Sequence, residues 1–493
     1  MINFGRRIIY ADVNKVTRDN LLDVLQYVMP VHAVNEADCN ELWEYYKGNQ
    51  PVLKRVKKIR PEICSKIVEN RAFEIVTFKT GYLVGEPVQY VGRGEDINTK
   101  GLQRLNDFLF SEGKASKDKE LADWFHICGT AYRIALPSRD PLSESPFKVL
   151  TADPRTTFVV YSTDIEHRQL MGVHFRRLDD YMGLASGGAV VPGGVVLSCY
   201  TEDRYFEVAD GEIVRDEPLY TGIPIVEYPL NHARLGAFEI VMTLLDAINE
   251  SDSARLDDAL QTVQSLLIFH NVKIGDQYDE LRERGALEYA DIDPQMKGEI
   301  KYISNSLDQS QGEPLVQHYY DSVLTICGMP NRNGGSSTSD TGRAVMLRDG
   351  WSSAEAMAKD TEARFKESEL RFINLILRIC SMARNGAGLN LKPSDIDIRF
   401  TRRNFENILE KAQVLDLMLN NNKIAPRLGF EHCGLFPDPD LAAKISEEHY
   451  EKVLASGQLE NGDRADPQPG QPGGSPDRAG ADNRSGNSAT PQG

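Results

Sequence analysis

The sequence predicts a mixed α+β protein, and three observations support this fold class. Apolar residues recur at helical spacing through most of the first 130 residues. Short β-branched and aromatic runs replace that spacing from 156 to 228. Two long helical patterns follow, at 235–269 and 353–384. A chain of 493 residues is long enough for two or more domains.

The N-terminal region is predicted to be mainly helical. Helical patterns cover residues 19–29, 37–47 and 61–78, and the third begins with a proline at a permitted early position. Two shorter helical patterns, 102–110 and 121–128, complete this region.

The central region is predicted to be an antiparallel meander. Alternating β-branched and aromatic residues mark four strands. The predicted strands are 157–161, 171–175, 195–200 and 205–208. The dipeptide Asp210-Gly211 is a hairpin signal, because both residues tolerate a positive φ.

The pattern from 235 to 269 predicts one long helix, roughly 50 Å in length. Neither Gly nor Pro interrupts it after Gly236, and its polar positions are almost all acidic. The acidic residues are Glu239, Asp246, Glu250, Asp252, Asp257 and Asp258. A helix with one apolar stripe and one acidic face is suited to line a space.

The C-terminal half contains further helices and a few strands. A compact insert at 271–308 has predicted strands at 286–290 and 299–304, and a helix at 313–327 follows. Ser352 and Glu355 form a predicted capping box at the start of the 353–384 helix. Beyond it come a strand at 396–400 and helices at 405–420 and 440–454.

Composition excludes several classes of protein. A net charge of −17 argues against a broad basic surface that grips nucleic acid. No apolar run approaches the length of a membrane span, and the N-terminus lacks a signal-peptide core. The seven cysteines occur singly, which indicates reduced thiols without disulfides or zinc.

The acidic helix allows three interpretations. Asp252, Asp257 and Asp258 are close enough in sequence to suggest a divalent-metal site of the kind that nucleases use. However, such clusters draw ligands from several elements, so a solvated face is the simpler interpretation. In an assembly, copies of the helix side by side would form an acidic wall.

Four segments, in the same order, resemble the portal (head–tail connector) proteins of tailed bacteriophages, in the siphophage type with Bacillus-phage representatives. Residues 45–53 (YYKGNQPVL) are similar to the family pattern YYxGxxxIL, and residues 81–90 (GYLVGEPVQY) to GYxxGxPVxY. Residues 223–231 (IPIVEYPLN), followed by 244–249 (LLDAIN), are similar to IPIIEFxNN. Residues 340–345 (DTGRAV) stand where the family has SGxAL, with threonine for serine and valine for leucine.

The resemblance covers roughly residues 40–450 and implies a portal fold assembled as a ring around a central channel, with twelve subunits in the virion. The implied regions are a wing (1–234), a stem helix (235–270), a clip (271–310), a second stem helix (311–330), a tunnel-loop region (331–350), a long wing helix (351–385), a crown (386–455) and a disordered tail (456–493).

The resemblance also implies a function. Double-stranded DNA would be packaged and ejected through the channel at one capsid vertex. The expected partners are the terminase large subunit, a head–tail adaptor, and the major capsid and scaffolding proteins. No catalysis, cofactor, metal or membrane contact is implied, and the protein would reside in the virion, or in the host cytoplasm during assembly.

Channel-lining candidates follow from this interpretation. Asp246, Glu250 and Asp257 fall near one helical stripe and would repel DNA phosphates over about 8 Å. The tunnel-loop candidates are Arg332, Asn333, Gly334, Gly335, Ser336, Ser337 and Arg343. The two arginines could centre the duplex. The competing hypotheses are a metal-dependent nuclease and a non-channel scaffold or adaptor protein.

Overall fold

The chain is described from a computed structural model. The described residues are 4–58, 61–93, 98–140, 142–177, 194–263, 266–273, 290–291, 299–303, 312–331, 350–383, 389–402, 408–421, 423–436 and 439–455. The chain divides into two compact units, Met1–Gln413 and Val414–Gly493.

The first unit begins with a short strand, β1 (Ile9–Ala11), and a long helix, α1 (Leu21–Tyr46). The sequence predicted two helices here, but α1 is a single helix of 26 residues with Pro30 inside it. Proline removes one helical hydrogen bond. The helix continues because its buried residues follow one face on both sides of the proline, so tertiary packing outweighs that loss.

Three further helices complete the N-terminal region. Helix α2 (Arg71–Val84) begins ten residues later than the predicted helix at 61–78, because Asn70 accepts a hydrogen bond from the Phe73 N–H at 3.3 Å and caps it there. Helix α3 (Thr99–Ser111) lies where the sequence predicts it, and α4 (Lys114–Cys128) begins seven residues before the predicted helix at 121–128.

The predicted meander is confirmed and forms most of a six-stranded sheet. The strand order is β1-β5-β6-β7-β8-β9, and β1 pairs in parallel with β5. The meander strands are β5 (Thr157–Ser162), β6 (Gln169–Arg177), β7 (Val195–Tyr200), β8 (Arg204–Ala209) and β9 (Glu212–Pro218). Asp210 and Gly211 join β8 to β9 with φ values of 52° and 79°, as a type I′ hairpin requires.

Two smaller sheets complete the α/β body. The strands β10 (Ile225–Pro229), β3 (Thr130–Pro137) and β4 (Phe147–Ala152) form one sheet in that order. The strands β2 (Gln89–Gly92) and β15 (Ile396–Arg399) pair antiparallel in the other.

The predicted helix at 235–269 is too long at both ends. Helix α5 spans Met242–Val263, 22 residues, after a 3₁₀ turn at Glu239–Val241. Strand β11 (Leu266–His270) follows it and pairs antiparallel with β14 (Glu299–Ile303). Its Leu-Leu-Ile-Phe sequence suits a strand as well as a helix, and the partner strand decides the outcome.

The rest of the 271–308 insert is described only in short pieces. Strand β12 (Val272–Lys273) pairs with β13 (Ala290–Asp291). The predicted strand at 299–304 is therefore confirmed as β14. The predicted strand at 286–290 lies mostly outside the described residues.

Two helices follow the insert, close to their predicted positions. Helix α6 spans Gly312–Cys327, and helix α7 spans Trp351–Met382. The predicted capping box at the start of α7 is wrong. Gly350 occupies the cap position with φ 82°, and Glu355 instead accepts hydrogen bonds from Tyr82 and Arg402.

The described part of the second unit is helical. It contains the end of α8 (Ile408–Leu419), then α9 (Pro426–Cys433) and α10 (Pro439–Ala455). Helix α9 was not predicted. The tail at 456–493 lies outside the described residues.

Three hydrophobic clusters form the core of the first unit within the residues that the structure describes. One lies between α1 and the six-stranded sheet, and another joins α4, the three-stranded sheet and α7. The third holds α5 and α6 against α1 and α2, through Leu42, Ile75, Leu245 and Val323. All of these side chains are buried, so burial of the third cluster fixes the position of α5.

Candidate functional site

The three predicted channel-lining carboxylates do lie on one face of α5. Successive residues of an α-helix are rotated by about 100°, so Asp246, Glu250 and Asp257 fall within roughly 40° of one another. The structure shows that this face is partly covered by the same chain. Residues 54–58 and 61–69, here named the strap, lie along it.

Asp257 is the centre of the contact between the strap and α5. Its carboxylate accepts hydrogen bonds from Arg55 Nη1 at 2.5 Å, Lys57 Nζ at 3.1 Å and the Ser65 N–H at 2.6 Å. Its side chain is only 1% exposed. Burial alone would raise the pKa of Asp257, but these donors hold it well below the usual range. The carboxylate is therefore ionised and neutralised within the subunit.

Two more side chains of α5 bind the strap backbone in the same way. The pairs of backbone N–H donor and side-chain acceptor are Ser65 with Asp257 (2.6 Å), Ile67 with Ser253 (2.9 Å) and Glu69 with Asn249 (2.8 Å). The acceptors on α5 are four residues apart, which is a rise of about 6 Å along the helix. The donors on the strap are two residues apart, and two extended residues have nearly the same length. These bonds satisfy the backbone of an extended segment, which explains why residues 61–70 are not helical.

The other two predicted carboxylates are engaged less completely. Glu250 accepts a hydrogen bond from Arg55 Nε at 2.6 Å, but its side chain remains 56% exposed. Asp246 is half-buried and accepts a hydrogen bond from the Tyr45 hydroxyl at 2.9 Å, and burial raises its pKa. Of the three candidates, Glu250 is the one that presents most of its side chain to solvent.

A different face of α5 points away from the core and the strap, and we name it the outward face. It consists of Thr243, Ala247, Ser251, Ala254 and Asp258, all exposed or half-buried. Arg255 projects about 160° away from Asp257 around the helix axis and lies 3.8 Å from Glu313 of α6. The strap and α6 therefore flank the outward face on its two sides.

Glu239, the first of the predicted acidic residues, is fully buried before α5 begins. It accepts hydrogen bonds from the backbone N–H groups of Gly5 (2.9 Å) and Gly236 (2.7 Å) and from Arg6 Nη2 (2.7 Å). The pair joins residues 233 positions apart, so no local sequence pattern could have revealed it. Glu239 anchors the N-terminal segment and has no exposed surface with which to repel DNA.

The proposed nuclease residues do not converge. Asp252 and Asp257 project about 140° apart on α5, Asp252 lies 3.6 Å from Arg255, and Asp257 binds two cationic side chains. Within the described ranges, no three His, Cys, Asp or Glu side chains are grouped to hold a metal ion. None of the helices in the described part of the chain is both long and apolar enough to span a membrane.

The tunnel-loop candidates Arg332, Asn333, Gly334, Gly335, Ser336, Ser337 and Arg343 lie outside the described residues. The residue before them, Asn331, donates a hydrogen bond to Asp321 Oδ1 of α6 at 3.1 Å.

Comparison with known proteins identifies the family. Residues 27–455 match the family described as phage portal protein, SPP1 Gp6-like. The chain belongs to this portal family. The resemblance drawn from its motifs is confirmed, and with it the function of a portal protein, a structural component of the phage particle.

Two further comparisons, with curated proteins and with solved structures, add no support to the family assignment. No curated protein matches the chain. One similar solved structure is a chain from the virion of a native gene transfer agent (GTA) particle, with 12% identity and a TM-score of 0.40. The match covers 81% of this chain and 94% of that one. The assignment to the portal family rests on the family match.

Proposed function

We propose that copies of this chain form a ring around a central channel at one capsid vertex, with twelve subunits in the virion. Double-stranded DNA would enter through the channel during packaging and leave through it at infection. The observation that supports this proposal is the family match over residues 27–455. The terminase large subunit, a head–tail adaptor, and the major capsid and scaffolding proteins would dock on the ring.

Each region of the chain takes a place in this ring. We assign α5 and α6 to the stem, the short strands β11–β14 to the clip, and residues 331–350 to the tunnel loop. The α/β body, which includes β15, and α7 would form the wing, and the rest of residues 386–455 the crown. Arg332 and Arg343 remain the proposed contacts that centre the DNA.

We propose that the channel lining carries fewer negative charges than the number of acidic residues in α5 suggests. Asp257 is neutralised by Arg55 and Lys57, and Asp246 is half-buried, so the outward face of α5 is the better candidate. It offers small side chains and Asp258, with Glu250 at its edge.

Such a surface would pass DNA mainly because it lacks cations. Every Lys or Arg that contacts a phosphate releases counterions and adds affinity, which would slow transport. The outward face carries no Lys or Arg, so it provides few opportunities for adhesion. A few carboxylates then suffice to discourage contact.

The decisive experiment is to image the purified full-length protein by negative-stain electron microscopy and to weigh it by native mass spectrometry. We expect rings with an axial hole and a mass that is a multiple of one subunit. A monomer or dimer under every assembly condition would contradict the proposal.

Incubation with DNA and Mg²⁺ or Mn²⁺ tests the nuclease alternative, and cleavage that Asp257→Asn abolishes would overturn the purely structural role.

A further inference from the structure

The strap is the most basic part of an acidic chain. Residues 54–69, which include the strap, contain six Lys or Arg residues and two acids, Glu62 and Glu69, although the whole chain has a net charge of −17. Arg55 and Lys57 point inward and bind Asp257. The remaining described bases, Lys54, Lys58 and Lys66, are exposed and form no ion pair with any residue that the structure describes.

The exposed side of the strap is also apolar. Val56 is 83% exposed and Leu53, just before the strap, is 39% exposed. A molecule whose surface is acidic and partly apolar would complement this combination of lysines and apolar side chains. The charge indicates that this molecule is acidic at the point of contact.

Helix α6 carries the complementary features. Its sequence contains two acids, Glu313 and Asp321, and no Lys or Arg. The Glu313 side chain is 79% exposed, and Leu315 and Ile326 are 45% and 44% exposed. Residues eleven positions apart lie on nearly the same helical face, so Leu315 and Ile326 are exposed on one side of α6.

The positions of these two surfaces suit a ring. The strap and α6 flank the outward face of α5 on opposite sides, as the 160° separation of Asp257 and Arg255 indicates. In a closed ring whose outward faces turn toward the axis, the strap side of each subunit meets the α6 side of the next. Such an interface is heterologous, because two different surfaces of the subunit meet, and its repetition by rotation generates a closed ring.

We propose that the strap of one subunit docks on α6 of its neighbour. Lys54, Lys58 and Lys66 would face the side of α6 that carries the exposed Glu313, and Val56 would pack near Leu315. The strap would then connect two stem helices, its own through Arg55 and Lys57 and its neighbour's through the exposed lysines. This inference rests on the proposed ring and adds a specific contact to it.

The test uses charge reversal in the full-length protein. The variant K54E/K58E/K66E should raise the subunit concentration needed for ring formation about tenfold or more, because three positive charges that face Glu313 become negative. Adding Glu313→Lys to this variant should restore part of the ring population. The matched control is K100E/K119E/K392E, which reverses three exposed lysines outside the strap and should assemble as the unaltered protein does.

A second measurement needs no substitution. Carbodiimide cross-linking of assembled rings should join a strap lysine to Glu313 between subunits, and the product should be missing from the monomer fraction. Normal assembly of a folded strap variant, or rings without this cross-link, would overturn the proposal. Failure of the unaltered protein and the control to form rings would instead refute the proposed function itself.

Discussion

Arg133 and Glu369 form an ion pair that is completely shielded from solvent. The Nη1–Oε2 distance is 2.8 Å, and both side chains are 0% exposed. Lys114 lies 3.0 Å from the other oxygen of Glu369, and Asp118 pairs with both Arg133 and Lys114. Two positive and two negative groups therefore balance where α7 meets α4 and β3.

Neutralising Glu369 should destabilise the first unit strongly. In Glu369→Gln, Arg133 and Lys114 lose the carboxylate that balances them, and breaking a buried pair in this way costs about 3–5 kcal/mol. Urea denaturation of the variant and the unaltered protein measures the difference. The matched control is Glu367→Gln, where a 70% exposed side chain pairs with Arg371, and it should cost under about 1 kcal/mol. Equal effects of the two substitutions would contradict the assignment.

Asp257→Asn should release the strap without melting α5. An asparagine amide has one acceptor oxygen in place of two, so its NH2 group would face either Arg55 and Lys57 or the Ser65 N–H, all of which need an acceptor. Hydrogen exchange of the Ser65 amide should accelerate about 10- to 100-fold, measured by mass spectrometry on strap peptides. Asp258→Asn makes the same chemical change one residue later, on the outward face. It should leave strap exchange as it is, and an equal acceleration there would show that the effect is not specific.

His32 should make stability depend on pH. The pKa of His32 is lowered to about 4, chiefly by burial and in part by Arg177, against the opposing effect of its hydrogen bond to the Arg155 carbonyl. The unfolded chain therefore binds more protons between about pH 6.5 and 4, so the free energy of unfolding falls as pH decreases through that window.

The expected slope is up to about 1.4 kcal/mol per pH unit for this one group. Denaturation curves at several pH values between 4 and 7 measure it. His32→Phe, which keeps the stacking on Phe158, should reduce the slope by up to that amount, and the share of the buried His126 should remain. The exposed His318→Gln serves as the control and should retain it. A slope unchanged in His32→Phe would assign the pH dependence to other groups.

Gly129 and Gly113 should respond very differently to alanine. Both have positive φ, 78° and 64°, so each substitution strains the backbone by about 1 kcal/mol. At Gly129 the added Cβ would also lie 1.9 Å from the Arg234 carbonyl oxygen, whereas at Gly113 nothing lies within 4 Å. Gly129→Ala should therefore cost more than about 4 kcal/mol or prevent folding, as thermal denaturation would show. Similar melting temperatures for the two variants would refute this.

The elements that depend on local pattern could be predicted from the sequence. The meander follows from period-two alternation and the Asp210-Gly211 turn, and α6 from apolar spacing that a Gly-Met-Pro sequence ends. The helix at 235–269 was overextended because residues 266–270 suit a helix as well as a strand, and only their partner strand distinguishes the two.

The candidate site was less predictable, because its contacts join distant residues. Spacing placed Asp246, Glu250 and Asp257 on one face, but nothing in the sequence shows that a segment 192 residues earlier covers Asp257. The cationic partners of Glu239 and Glu369 could not be predicted for the same reason, because they lie more than 200 positions away in the sequence. Charge counted along a helix thus overstates the charge that the helix presents to solvent.

The balance around Arg133 has a consequence for biosynthesis. Lys114, Asp118 and Arg133 leave the ribosome together, but Glu369 is made 236 residues after Arg133. Until Glu369 is made, the nascent chain has two positive groups and one negative group at a site that is shielded from water in the folded protein. The α/β body therefore cannot close around this point until α7 has been translated. A chain terminated before α7 would keep this site hydrated and open to proteases and chaperones.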